Sequence, residues 1–266
     1  MRLSNLMKRM FYLLCIILAI NNSPLLASSS EQDPATVLIT GSNRGIGLAL
    51  AEHYAKEGWK VIATCRKPNQ AEKLKTIADK YPLVIIEKID VTDMQTIKKV
   101  AEKYQGSTID LLINNAGISG GLTNQVFGSL DYSIFRRVID VNTFGPTRMA
   151  EAFLNQIAAS HQKKIINITS TQGSITRTRG GQYFYKTSKA ALNMITSNLS
   201  QDLKSKKIIV GLISPGWVTT DIVEGFEDPR MLKPEESAYL VAKVIDSYTL
   251  DQSGYFLDET GTVVPW

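Results

Sequence analysis

The sequence has 266 residues, 44% of them hydrophobic, and its ordinary content of charged and aromatic residues excludes a disordered or fibrous chain. Lys and Arg number 30 against 25 Asp and Glu, but Arg2, Lys8 and Arg9 supply three of the five net charges, so the near-neutral remainder argues against nucleic-acid binding. Two cysteines exclude a disulfide framework, and the isolated His53 and His161 leave no zinc cluster, so we expect no metal.

The first 27 residues have the pattern of a secretory signal peptide. Residues 1–9 are basic, Met10–Ile20 is an unbroken apolar run, and small polar residues follow. We expect cleavage after Ala27, with residues 28–34 as a short linker. The apolar run is shorter than the roughly 20 residues of a transmembrane helix, but an uncleaved membrane anchor stays open. A functional leader would place the protein outside the cytoplasm, in the periplasm or on a membrane; otherwise it is cytoplasmic.

From Ala35 onward, short β-branched runs alternate with longer amphipathic stretches. The predicted strands are Thr36–Thr40, Lys60–Thr64, Leu83–Ile89, Ile109–Ile113, Lys164–Thr169, Ile208–Ile213 and Tyr255–Leu257. The predicted helices are Ile46–Glu57, Gln70–Lys80, Met94–Tyr104, Tyr132–Ser160, Tyr185–Ser205 and Pro234–Ser247. Strands separated by helix-length segments are typical of βαβ units. We therefore predict one α/β domain over residues 35–266, a doubly wound parallel sheet with helices on both faces.

A glycine-rich turn directly follows the first predicted strand and precedes a helix. Its glycines, Gly41, Gly45 and Gly47, have the spacing G-x-x-x-G-x-G. Such a turn allows a pyrophosphate to approach the helix N-terminus closely, and the third glycine allows the helix to pack on the strand. The alternative is a glycine-rich turn without a ligand. The position between a strand and a helix favours a dinucleotide site.

Two further motifs accompany this loop. The segment Asn114–Gly117 (NNAG) follows the fourth predicted strand, and Tyr185 precedes Lys189 by four residues. With the glycine loop, these motifs resemble the short-chain dehydrogenase/reductase family over essentially all of residues 35–266. The resemblance implies a Rossmann-type sheet, a nicotinamide cofactor and a homodimer. The segments that resemble sniffer-type carbonyl reductases and C-factor-like proteins in particular are Tyr185–Asn193, Pro215–Asp221 and Asp258–Trp266.

The same resemblance implies a set of cofactor-binding residues in the glycine loop, at the strand ends and after the sixth strand. They are Gly41, Asn43, Arg44, Gly45, Ile46, Gly47, Arg66, Asp90, Val91, Asn114, Ala116, Gly117, Tyr185, Lys189, Pro215, Gly216, Val218 and Thr220. The alternative role of the Asn114–Asn115 pair is a turn that stabilises the sheet.

The end of the second strand indicates which nicotinamide cofactor is used. An acidic residue there would bind the ribose 2′-hydroxyl of NAD(H), about 20 residues after the glycine loop. The sequence instead has Arg66, and the family pattern places Arg44 on the same side. Guanidinium groups suit a 2′-phosphate by charge and by bidentate geometry, so we predict NADP(H). The alternative is a pair of solvated surface arginines.

Tyr185 and Lys189 are the predicted catalytic pair. Their spacing places both side chains on one face of a helix, where the ammonium would lower the pKa of the phenol. The resemblance adds Ser170, which would bind the substrate carbonyl, and Asn142, which would kink a long helix and hold a relay water. Ser174 is the rival of Ser170 on spacing alone, but Ser170 follows the fifth strand directly.

The motifs together imply an oxidoreductase that transfers hydride from NADPH to a small-molecule aldehyde or ketone. Residues Asp221–Lys233 would form a substrate lid, and Val223, Phe226 and Met231 within it favour an apolar carbonyl compound. The alternative is a nucleotide-binding signalling or sensor protein of C-factor type, which the leader favours. The complete Ser, Tyr, Lys and Asn set favours the reductase.

Overall fold

A single parallel sheet runs through the part of the chain that the structure describes, and seven strands form it. The strands are β1 (Thr36–Thr40), β2 (Lys60–Cys65), β3 (Val84–Lys88), β4 (Leu111–Asn114), β5 (Lys164–Ile168), β6 (Ile209–Ile213) and β7 (Phe256–Leu257). Their order is β3-β2-β1-β4-β5-β6-β7. The strand order therefore reverses between β1 and β4, and a crevice opens at this point in doubly wound folds.

The computed structural model describes residues 33–121, 123–223, 225–226 and 228–266. The predicted leader over residues 1–27 and most of the predicted linker lie outside the described residues and stay predictions. Residues Pro34–Trp266 form one compact unit. No helix within the described ranges is long and apolar enough to cross a membrane.

Eight α-helices occur among the described residues. They are α1 (Gly45–Lys56), α2 (Glu72–Lys80), α3 (Met94–Lys103), α4 (Tyr132–Ile139), α5 (Gly145–Ala152), α6 (Leu154–Ala158), α7 (Tyr183–Asp202) and α8 (Pro234–Ser247). They cover both faces of the sheet, as predicted. Because successive strand side chains point to opposite faces, Val37 packs in the core beneath α1 and α8, whereas Leu38 packs in the core beneath α3 and α5.

The predicted helix Tyr132–Ser160 is helical but not continuous. A π-helical turn, Asp140–Phe144, separates α4 from α5, and a break at Phe153 separates α5 from α6. Pro146 explains part of the first interruption, because proline has no N–H to donate to the carbonyl of Asn142 four residues earlier. Single π turns inside α-helices are frequent at functional sites, and this one carries a predicted site residue.

Candidate active site

The strand reversal between β1 and β4 opens into a cleft of about 1670 Å³. Its lining includes most of the residues predicted to bind the cofactor. These are Gly41, Asn43, Arg44, Gly45, Ile46, Gly47, Arg66, Asp90, Val91, Ala116, Gly117 and Thr220. The topology thus brings together residues that are up to 179 positions apart in the chain.

The glycine loop presents a helix N-terminus to this cleft. Gly41 and Gly45 have φ values of +71° and +54°, which favour glycine because a Cβ would strain the backbone. Arg44 precedes α1 without a side-chain cap, and the first turn of the helix contains no acidic residue. Uncapped N–H groups and the helix dipole both attract anions, so this end of α1 fits a pyrophosphate.

The third glycine allows a contact across the sheet. A Cβ on Gly47 would lie 2.3 Å from the Gly41 carbonyl oxygen and 2.4 Å from Nδ2 of Asn115. That Asn115 amide donates to the carbonyl oxygens of Thr40 at 2.9 Å and Gly41 at 3.3 Å. Asn115, which was not predicted to be a site residue, therefore holds the glycine loop against the end of β4.

The two arginines predicted to bind a phosphate differ in their surroundings. Nη1 of Arg44 lies 2.7 Å from a carboxylate oxygen of Asp221, and both side chains are mostly exposed. This ion pair connects the glycine loop to the segment after β6. Arg66 is exposed at the end of β2 and forms no ion pair with any residue whose position the structure describes. Arg66 is therefore available to a ligand, whereas Arg44 would have to share or release Asp221.

Six of the residues predicted to bind the cofactor do not line the cleft. Two are the predicted catalytic pair, Tyr185 and Lys189. The described contacts give three of the other four packing roles. The buried Asn114 amide donates to Oδ1 of Asn167 at 2.8 Å and to the Pro146 carbonyl oxygen at 3.3 Å, so it joins β4 to β5 and to α5. The Pro215 carbonyl oxygen accepts a hydrogen bond of 2.6 Å from Ser237. Val218 is buried and pairs with Leu232. The fourth residue is Gly216, which has a φ of +83°.

The two candidate serines are clearly distinguished by their contacts. Ser170 is half-buried at the end of β5 and interacts with the hydroxyl of Tyr185. Ser174 is buried, and its hydroxyl donates to the main-chain oxygen of Trp266 at 3.3 Å and accepts from the Arg177 N–H at 3.2 Å. Ser170 therefore lies with the predicted catalytic tyrosine, and Ser174 binds the folded-back end of the chain.

The Tyr185–Lys189 pair lies on one face of α7 as predicted, with Nζ of Lys189 5.7 Å from the centre of the tyrosine ring. The predicted direction of the tyrosine pKa shift was wrong. Burial raises the pKa of Tyr185 to about 12, and the interaction with Ser170 only opposes this rise. Burial also lowers the pKa of Lys189 from 10.5 to about 8. Helical spacing shows that two side chains share a face, but not how far each is removed from water.

Lys189 and Asn142 meet beside Gly117. A Cβ on Gly117 would lie 3.5 Å from Oδ1 of Asn142 and 3.8 Å from Nζ of Lys189. Nζ donates to the Ile168 carbonyl oxygen at 2.8 Å. The Asn142 side chain binds both main-chain polar groups of Ile118, each at 2.9 Å, so it holds the segment after β4. Because Pro146 cannot donate to it, the Asn142 carbonyl is left without its α-helical donor, which suits the predicted relay water.

No group of three or more His, Cys, Asp or Glu residues within the described ranges is placed to hold a metal ion.

Comparison with known proteins identifies what the chain resembles. The family model of short chain dehydrogenases matches residues 35–230. The NADPH-bound carbonyl reductase from chicken fatty liver is 34% identical, and the match covers 88% of this chain and 100% of that one with a TM-score of 0.81. The carbonyl reductase Sniffer of D. melanogaster is 29% identical, with the same coverage and a TM-score of 0.78. The C-signal protein of Myxococcus xanthus is 38% identical over 159 residues, which cover 59% of this chain and 93% of C-signal. These similarities confirm the resemblance predicted from the motifs.

Proposed function

The chain belongs to the short-chain dehydrogenase family of oxidoreductases, which bind nicotinamide cofactors, and on that premise we propose that it reduces the carbonyl group of a small aldehyde or ketone with NADPH. The observation that carries the proposal is the arrangement around the phenol of Tyr185. Its hydroxyl interacts with Ser170, Nζ of Lys189 lies 5.7 Å from the centre of its ring, and burial keeps the phenol protonated at neutral pH by raising its pKa. A protonated phenol can give a proton to a carbonyl oxygen, as carbonyl reduction requires. The signalling alternative needs no such acid and is not favoured.

The residues of the cleft fit a dinucleotide. The uncapped start of α1 suits the pyrophosphate, and Asp90 and Val91 line the side predicted to receive the adenine ring. Gly117 leaves the space beside Lys189 and Asn142 that a side chain would fill. When bound, NADPH supplies the hydride. Support for NADPH rather than NADH comes from Arg44 and Arg66, and from the NADPH-bound state of the chicken carbonyl reductase.

The side chains then have separate tasks. Ser170 and Tyr185 donate hydrogen bonds to the substrate carbonyl oxygen, which stabilises the negative charge that develops there. Tyr185 transfers its proton to that oxygen. The Lys189 ammonium faces the phenolate that remains, and the space at Gly117 between Nζ of Lys189 and Oδ1 of Asn142 lets a water return the proton.

The direct test is NADPH oxidation by the full chain with a panel of aldehydes and ketones, followed by the loss of NADPH absorbance, with NADH in parallel. We expect turnover with NADPH and an NADPH dissociation constant below that of NADH. Absence of NADPH binding would contradict the proposal. Tight NADPH binding without turnover over the whole panel would instead favour the signalling alternative.

Cofactor preference depends on Arg66 more than on Arg44. We expect Arg66→Ala to raise the KM for NADPH about tenfold and to leave the KM for NADH within about twofold, because one charge-assisted hydrogen bond to a phosphate is worth roughly 1.5–3 kcal/mol. Lys67→Ala is the matched control, since Lys67 is the adjacent exposed cation and does not line the cleft. Asp221→Asn should lower the KM for NADPH, because an exposed ion pair such as Arg44–Asp221 contributes only about 0–1 kcal/mol and its loss frees the guanidinium. Equal effects of Arg66→Ala on both cofactors would contradict a 2′-phosphate contact.

The reductase activity should have a basic limb set by Lys189. We expect kcat for carbonyl reduction to be constant up to about pH 8 and to fall above it, because Lys189 loses its proton near pH 8. Between pH 8 and 10.5 the folded chain binds fewer protons at Lys189 than the unfolded chain, so this titration raises the free energy of unfolding rather than lowering it. Thermal unfolding over the same pH range is therefore the control. A flat kcat profile up to pH 10 would contradict a role for the ammonium.

The homodimer, the signal peptide and a location outside the cytoplasm are proposals that rest on the sequence alone.

A further inference from the structure

The catalytic helix α7 begins without a cap of its own. Gln182, the residue before its first turn, is in the left-handed region with a φ of 50° and makes no side-chain cap, and the first turn has no acidic residue. The N–H groups of the first turn have no partners inside the helix. Two of them belong to Phe184 and to Tyr185 itself, so whatever binds them also determines where the main chain of Tyr185 lies.

The side chain of Gln125, about 60 residues earlier in the sequence, binds both N–H groups. Oε1 of Gln125 accepts hydrogen bonds from the N–H of Phe184 at 2.8 Å and of Tyr185 at 3.3 Å. At its other end, Nε2 of Gln125 donates to the carbonyl oxygens of Ser119 at 3.0 Å and Gly121 at 2.8 Å. The residue is 3% exposed. Both acceptor sites and both donor hydrogens of the amide are used, which is the full capacity of a glutamine side chain.

These four bonds connect two walls of the site. Ser119 lines the cleft and follows Ile118, which Asn142 holds from the other side. A Cβ on Gly120 would lie 3.2 Å from the Phe184 ring, so this segment packs directly on the first turn of α7. The Gln125 amide thus sets the distance between the cofactor side of the cleft and the main chain of Tyr185. A misplacement of about 1 Å at a reacting group can cost up to 100-fold in rate.

We propose that Gln125 is a positioning residue for Tyr185, holding the phenol at the distance from the cofactor cleft that proton transfer requires. This inference rests on the proposed reductase function. Neither glutamate nor methionine could replace the glutamine fully, because glutamate has no hydrogens for the Ser119 and Gly121 carbonyl oxygens and methionine has neither donors nor a strong acceptor.

The test compares Gln125→Met with Asn124→Ala in the full chain. Asn124 is the matched control, because its amide donates to the Gly120 carbonyl oxygen of the same segment at 3.0 Å, and none of the described hydrogen bonds joins its side chain to α7. We expect Gln125→Met to lower kcat about 10- to 100-fold with the KM for NADPH within about twofold. Asn124→Ala should keep kcat within about twofold. Gln125→Glu retains the acceptor for Phe184 and Tyr185 but sets an oxygen against the Ser119 and Gly121 carbonyl oxygens, so it should not restore the wild-type kcat.

Two further readouts separate positioning from simple loss of stability. In a Tyr185→Phe background, Gln125→Met should lower kcat little further, because the side chain no longer has a proton to transfer. A further loss of kcat as large as that in the wild-type background would overturn the proposal. Hydrogen exchange measured by mass spectrometry should be faster in Gln125→Met for the peptides that contain Ser119–Gly121 and Phe184–Tyr185. This readout needs no turnover. If the wild-type chain shows no reductase activity and exchange in these peptides is still faster in Gln125→Met, then the proposed function fails and the Gln125 contact stands. Unchanged exchange and unchanged kcat would overturn the positioning role.

Discussion

Replacing Tyr185 with phenylalanine is expected to lower kcat for NADPH-dependent carbonyl reduction by about a thousandfold, within the range of 10²–10⁴ for the loss of a positioned acid. The substitution removes only the hydroxyl, and the ring remains on α7 near Lys189. The proton that the pKa of about 12 keeps on the phenol would then have to come from water. Steady-state kinetics with the best substrate of the panel gives kcat, and NADPH fluorescence gives the cofactor dissociation constant.

Tyr183→Phe is the matched control for this substitution. Tyr183 lies two residues earlier on the same helix, partly exposed, and its ring packs against Phe127 rather than Lys189. We expect Tyr183→Phe to retain kcat within about twofold and both variants to bind NADPH as the wild type does. Retention of more than a tenth of kcat by Tyr185→Phe would mean that another group donates the proton.

The second large effect should separate the two serines. Ser170→Ala is expected to lower kcat by about 10²–10³, the range found when one hydrogen-bond donor to a developing oxyanion is removed. Ser170 follows β5 and interacts with the Tyr185 hydroxyl, so its loss leaves the carbonyl oxygen with one donor instead of two.

Ser174→Ala is expected to behave differently although it lies only four residues away. The Ser174 hydroxyl binds Trp266 and the Arg177 N–H, so its removal should lower the midpoint of thermal unfolding and leave kcat within about threefold. A larger loss of kcat in Ser174→Ala than in Ser170→Ala would reverse the assignment. Circular dichroism of both variants shows whether either loss follows from unfolding.

Most of the fold could be predicted because local patterns encode it. The buried strands are continuous apolar runs, and in β1 every residue of Thr36–Thr40 is buried, as the run predicted. The end of α8 was predicted without error, whereas the interruption at Asp140–Phe144 was not. Hydrophobic periodicity hardly differs between an α-helix and a single π turn, and the hydrogen bonds that stabilise the turn come from Ile118, which is distant in sequence.

The sequence by itself determined the strand–helix alternation, the glycine loop and the Tyr185–Lys189 spacing, because each depends on residues close together in the chain. The sequence favoured Ser170 over Ser174 by its place after the fifth strand, but only the tertiary structure decided what Ser174 does instead, because Ser174 binds a residue 92 positions away. It also decided the direction of the Tyr185 and Lys189 pKa shifts, which follow from burial. The cap of α7 by Gln125 has the same origin, since a hydrogen bond across 59 residues leaves no signal in local sequence. Local spacing places the chemical groups in the right order, and long-range packing sets their distances and their protonation.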